Sequence, residues 1–126
     1  MSEILNDAPA WFDDLLAEIS ELVKLEESWD SYGARPIDPH CVEATANLFL
    51  PIFNSDTPRP SVVPINRGGI QLEWHRAGTD LEIEIEPPER LHVFFGKDRE
   101  TTEAEMMLTD DLRPLARFLE GLKEAD

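Results

Sequence analysis

A chain of 126 residues with 41% hydrophobic content is long enough for one domain with its own core, spanning 1–126, and too short for two ordinary ones. It holds too much apolar material for wholesale disorder. Its 27 acids against 11 bases leave a formal charge of −16, which argues against direct nucleic-acid binding and anionic membranes, since both need clustered Lys and Arg.

No apolar run approaches the roughly 18 residues that a membrane-spanning helix requires. Met1 to Asp7 carry acids rather than a basic stretch leading into an apolar one, which predicts no secretory signal and a cytoplasmic location. The lone Cys41 rules out an internal disulfide framework.

In chain order, Asp7 is positioned to cap a first helix with Pro9 in its first turn. That helix runs to about Leu25, with Trp11, Phe12, Leu15, Leu16, Ile19, Leu22 and Val23 at helical spacing. The segment ESWDSYGARPIDP breaks the period with Gly33, Pro36 and Pro39 and predicts a structured loop, in which Asp30 accepts backbone N–H bonds. Asp38 and Pro39 start a short second helix whose inner stripe is expected at Val42, Ala46 and Phe49 before Pro51 ends it. The polar, Pro-rich segment from Asn54 to Pro60 connects this helical half to a strand half.

From Ser61 the hydrophobic period becomes two. A four-residue loop, Asn66 to Gly69, would place Val63 and Ile65 on one face with Ile70, Leu72 and Trp74, and Pro60 and Pro64 mark that first strand as an edge. With Ala77-Gly78 as the next turn, Leu81, Ile83 and Ile85 fall opposite Trp74, Leu72 and Ile70. A turn at Pro87 to Glu89 sets Leu91, Val93 and Phe95 against Ile85, Ile83 and Leu81, and a strand from about Glu103 to Leu108 adds Ala104, Met106 and Leu108. A C-terminal helix follows, with Pro114 near its first turn and Leu112, Leu115, Leu119 and Leu122 as its stripe. The expected fold is α+β: two N-terminal helices, a four- to five-stranded antiparallel meander and a C-terminal helix, the helices packed on one face of the sheet.

The same register gathers Gln71, Glu73, His75, Asp80, Glu82, Glu84, Glu86, Arg90, His92 and Phe94 on the opposite face. Its cross-strand pairs are Glu73 with Glu82, Gln71 with Glu84, His75 with Asp80, Glu84 with His92 and Glu86 with Arg90; the first alone is a clash of like charges. Each such pair is worth roughly 0.2–1 kcal/mol in either direction, so the hairpin folds without a ligand to offset the clash. A carboxylate-rich plate of this kind speeds association with a basic surface through long-range attraction that weakens with salt. Phe94 and Met107, directed outward by the register, supply an apolar centre, and Trp29 and Tyr32 flank the turn at Gly33.

These residues define a non-enzymatic acidic interaction protein: Glu73, Glu82, Glu84 and Glu86 attract a basic protein partner, with Phe94, Trp29 and Tyr32 as apolar anchors. A toxin or a nucleic-acid enzyme presents such a surface, and a homodimer is compatible with the same face. No cofactor, catalytic residue or metal ligand set is assigned, because H-E-x-x-H spacing is absent and NRGG lacks the spacing of a phosphate loop. Two other classes stand beside this one. The first is a small metal-dependent or thiol enzyme using His75, His92 or Cys41, the last placed where a helix N-terminus lowers a thiol pKa. The second is a structural or regulatory subunit whose acidic face is merely solvated.

The segments WDSYGARPI, PSVVPINRGGIQLEW and LEIEI, between Trp29 and Ile85, resemble a group of small acidic bacterial proteins. That group shares a W-D-x-Y-G-A-x-P segment and a G-G-I-Q-L-E-W hairpin. The resemblance implies a shared fold and an antitoxin-like or immunity-like role, and it transfers no catalytic residues.

Overall fold

The computed structural model describes residues 8–49, 52, 55–76, 78–86, 90–97 and 99–124. Asp7, Pro51 and the turn at Pro87 to Glu89 lie outside them. Helix α1 spans Phe12–Leu22 and α2 His40–Phe49; strands β1 (Ser61–Pro64), β2 (Ile70–Arg76), β3 (Thr79–Glu86), β4 (Arg90–Lys97) and β5 (Glu100–Met107) follow, and α3 spans Leu115–Glu124. The strands form one five-stranded antiparallel sheet in the order β1-β2-β3-β4-β5. With three helices among the described residues, the fold is α+β. No helix among them is long and apolar enough to cross a membrane.

Strict alternation builds the sheet's apolar side. Ile70, Leu72, Trp74, Leu81, Ile83, Ile85, Leu91 and Val93 are buried in one cluster with Leu15, Ile19, Leu48, Phe49, Leu115, Leu119 and Leu122 from the helices. Burying each of these side chains is worth about 1.5–3 kcal/mol, so this cluster dominates stability. Aromatic contacts fasten helix to strand: Phe49 meets Trp74 with ring centroids 6.4 Å apart, and Phe95 meets Phe118 at 4.9 Å. Two indoles tie the connecting segment down, Trp11 Nε1 donating to Thr57 O and Trp74 Nε1 to Pro58 O, each at 2.8 Å.

The register of β2 with β3 and of β3 with β4 is the expected one, including Glu73 opposite Glu82 and Glu84 opposite His92. The first strand is shifted by one residue. Pro64 pairs with Ile70, so Val62, not Val63, faces Leu72; Val62 is 8% exposed and Val63 38%. The connection from Ile65 to Gly69 is one residue longer than expected, and a shift of one residue exchanges the two faces of a strand.

Two helices also differ from expectation. Helix α1 begins at Phe12 with Trp11 in the capping position and no side-chain cap, and it ends at Leu22 rather than near Leu25. The inner stripe of α2 is Cys41, Ala44, Thr45, Leu48 and Phe49, while Val42 and Ala46 are only half-buried. The stripe of α3, including Leu112 just before it, is buried as expected.

Candidate functional site

The opposite face of the sheet follows from the observed register. Across it lie seven carboxylates, Glu73, Asp80, Glu82, Glu84, Glu86, Glu103 and Glu105, and Arg90 is the one arginine that the strand pairing puts on the same face among the described residues. None of these side chains is buried. Glu103 and Glu105 join the face because they alternate with Ala104 and Met106 and pair with Phe94 and His92 of β4; the strand itself starts at Glu100, earlier than the sequence suggested.

The clash of Glu73 with Glu82 is relieved along the strand rather than across it. Gln71 Nε2 donates to Glu73 Oε2 at 2.9 Å, and His75 Nε2 lies 3.1 Å from Glu73 Oε1. The other nitrogen of His75, Nδ1, sits 2.7 Å from Asp80 Oδ1. With a carboxylate at each ring nitrogen, the doubly protonated imidazolium satisfies both, and its hydrogen bonds to Asp80 and then Glu73 raise the His75 pKa above its usual value.

Glu86 is opposite Arg90 in the register, yet each finds a different ion-pair partner. Arg90 reaches Glu105 at 2.6 Å, whereas Glu86 accepts both Nε and Nη2 of Arg67, at 3.2 and 3.1 Å. Arg67 also lies 3.6 Å from Glu84. This forked contact holds the Glu86 carboxyl below its ordinary range. Arg67 was passed over in the sequence because NRGG reads only as a turn.

Glu82 is left without a hydrogen bond or ion pair among the described residues, and it faces Phe94 in the register of β3 with β4. Phe94 is half-buried on this face and Met107 is 46% exposed. The acids and Phe94 are therefore assembled on one surface; Trp29 and Tyr32 belong to a separate loop.

That loop is built by its own hydrogen bonds. Asp30 Oδ1 accepts the N–H of Tyr32 at 2.8 Å and of Ala34 at 3.0 Å, Ser28 N–H donates to Ala34 O at 2.7 Å, and Trp29 Nε1 donates to Arg35 O at 2.8 Å. Its path requires positive φ at Ser28 (61°), Ser31 (67°) and Gly33 (87°), two of which are not glycine. Such a backbone persists only where its surroundings over-determine it. Ala34 and Ile37 are the buried feet of the loop, Trp29 packs against the core edge, and Tyr32 is left 91% exposed.

The loop is spliced to the β1–β2 hairpin. Arg35 N–H donates to Asn66 O at 2.9 Å and Asp38 N–H to Gly68 O at 2.8 Å. Gly68 has φ +105°, and a Cβ on Gly69 would fall 2.4 Å from Ile85 O, so both glycines are demanded by the backbone. Between loop and hairpin opens a groove of about 710 Å³, lined by Gly33, by Arg35 through Pro39 and by Asn66 through Gly69, with Glu86 at its border. The two motifs that lie more than thirty residues apart in the sequence thus share one groove beside the acidic face.

The enzyme alternatives find less here. His75 and His92 stand on β2 and β4 with β3 between them, and no group of three or more His, Cys, Asp or Glu among the described residues is placed to hold a metal ion. Cys41 is fully buried, and burial pushes its thiol up to about 12, overriding the lowering expected from its place at the start of α2. Comparisons of the chain with protein-family models, with curated proteins and with solved structures return no match.

Proposed function

We propose that the protein is a non-enzymatic, cytoplasmic interaction module that captures a basic protein through the uncovered face of its sheet. One observation carries this: seven carboxylates share a face with Arg90, and after Arg67, Arg90, His75 and Gln71 take their partners Glu82 still has none among the described residues. The three helices and the sheet's other face supply the buried cluster, which supports reading the helices as covering that face alone. Residual negative potential over a rigid plate raises the rate of encounter with a positive surface. Half-buried Phe94 beside Glu82 gives the contact an apolar centre, Glu73, Glu84 and Glu86 surround it, and Tyr32 is a second anchor on its braced loop, where Trp29 serves mainly as a brace. A toxin or nucleic-acid enzyme neutralised by this face is the kind of partner its charge fits, in line with the antitoxin-like or immunity-like role that the resemblance to small acidic bacterial proteins implies.

The test is affinity capture from the native host with the wild-type chain and with Glu82→Lys/Glu84→Lys, at low and high salt. A stoichiometric partner with a basic surface, lost on charge reversal and weakened by salt, is expected. Recovery of no such partner, or equal capture by the reversed variant at low salt, would refute the proposal.

A further inference from the structure

The two edges of the sheet differ in a way that assigns a docking mode. Edge strand β1 is four residues long and ends in Pro64, which has no N–H to offer. Edge strand β5 is eight residues long and contains no proline. Only β4 pairs with it among the described residues.

The backbone groups that β5 leaves open follow from its register. Lys97 pairs with Glu100 across a two-residue connection, so this closing pair exchanges both hydrogen bonds. Alternation then turns the N–H and C=O of residues 102, 104 and 106 toward β4 and those of Thr101, Glu103, Glu105 and Met107 away from it. An independent contact agrees: Met107 N–H donates to Asp110 Oδ2 at 2.9 Å, and Asp110 N–H to Met107 O at 2.8 Å. Asp110 therefore stops the edge at Met107. Thr101, Glu103 and Glu105 stay open.

Side chains along this edge specify what would pair with it. On the acidic face stand Glu103 and Glu105; on the other face Ala104 and Met106 lie only partly buried against the core. A strand laid beside β5 would cover that apolar ledge with one set of alternate side chains and meet the two glutamates with the other. A second copy of this chain does not fit, because antiparallel β5 strands would set glutamates against glutamates.

We infer that β5 accepts, as a sixth strand, an extended segment of a partner protein in which basic residues alternate with apolar ones. This rests on the acidic-face reading above and adds to it the place and the manner of attachment: main-chain hydrogen bonds for affinity, alternate side chains for selection.

Three synthetic peptides, one unmodified and two N-methylated, test it by calorimetry and amide exchange at low salt. The first has the sequence Lys-Val-Lys-Thr-Lys-Val-Lys; the other two are identical but N-methylated at alternate residues, one for each parity, so that charge and side chains persist while edge donors are lost. The expected result is binding of the first, at least tenfold weaker binding of one methylated version, and new exchange protection confined to the amides of Thr101, Glu103 and Glu105. Equal binding of all three peptides would overturn strand addition while leaving the acidic face intact as an electrostatic surface. Binding of none, or protection spread over β1 instead, would overturn it as well. Glu103→Pro, which removes one outward N–H without touching the β4 ladder, should lower affinity in parallel, and its own melting curve reports whether it has folded.

Discussion

Replacing Gly69 by alanine tests the junction on which the groove and the sheet both depend. The added methyl carbon would sit 2.4 Å from Ile85 O and 3.1 Å from Glu86 Cγ. The first obstacle is backbone of a strand paired on both sides, so it cannot swing aside as a side-chain tip would. Overpacking costs roughly 1–3 kcal/mol, and a fixed backbone obstacle puts this site near about 3. Unfolding entropy of about 2.1 cal/mol/K per residue over 126 residues is roughly 0.26 kcal/mol/K, so Tm should fall by about 11 °C. Gly78→Ala is the control: φ is +83° but nothing lies within 4 Å of the added carbon. Its conformational cost of about 1–2 kcal/mol is partly offset by a less flexible unfolded chain, leaving a fall of roughly 4 °C. Thermal melts followed by circular dichroism, with urea titration to check that the m-value holds, decide the matter. A Gly69→Ala protein that melts within about 2 °C of wild type, or above Gly78→Ala, would refute the close approach and with it the entry of β2 into the sheet.

The shifted register of β1 predicts that Val62→Ser loses roughly 1.5–3 kcal/mol in urea denaturation while Val63→Ser stays within about 0.5 kcal/mol; the reverse order would restore the unshifted register. His75 has its pKa raised by Asp80 and Glu73, so its contribution is fully present below its unfolded pKa of 6.5 and fades as pH rises through the folded value. His75→Gln should therefore destabilise more at about pH 5.5 than at about pH 8.5, by under about 1 kcal/mol because the ring is half exposed, and a gap that widens with pH would contradict the paired imidazolium. Cys41, buried and with its thiol pushed up to about 12, should react with a thiol reagent at about pH 8 only as fast as the protein unfolds; prompt labelling of folded protein would show the site to be open.

The meander was legible in the sequence wherever alternation was clean. LEIEIE and QLEWH each place their apolar residues on one parity, so burial alone selects the register. SVVPI does not: Val62, Val63, Pro64 and Ile65 occupy both parities, and only the length of the following loop decides which faces inward. Helix α2 failed for a related reason, because HCVEATANLF carries small or apolar residues around most of its circumference and the neighbours it packs against choose the face. The acidic composition of the outer face was readable, but its ion pairs were not. Arg67 reaches Glu86 from a loop nineteen residues away, and Arg90 pairs with Glu105 on β5 rather than with Glu86 opposite it on β3. The splice between the two motifs runs through main-chain atoms of Arg35, Asn66, Asp38 and Gly68, which leave no side-chain signature. Its only trace in the sequence was the pair of glycines that such close backbone approach demands.

That splice bears on how the proposed partner would be gripped. Tyr32 stands on a loop whose turns are tied by Asp30 and whose far end is bonded to the hairpin that also carries Arg67, the guanidinium clamped on Glu86. Tyr32, the proposed anchor, and the acidic face are thus tied into one body by hydrogen bonds made at folding. Ordering them at the moment of contact would otherwise cost about 0.5–1.5 kcal/mol for each immobilised side chain. Under the proposed docking, a partner that matches the spacing would meet a finished mould, and one that does not could not coax it into shape.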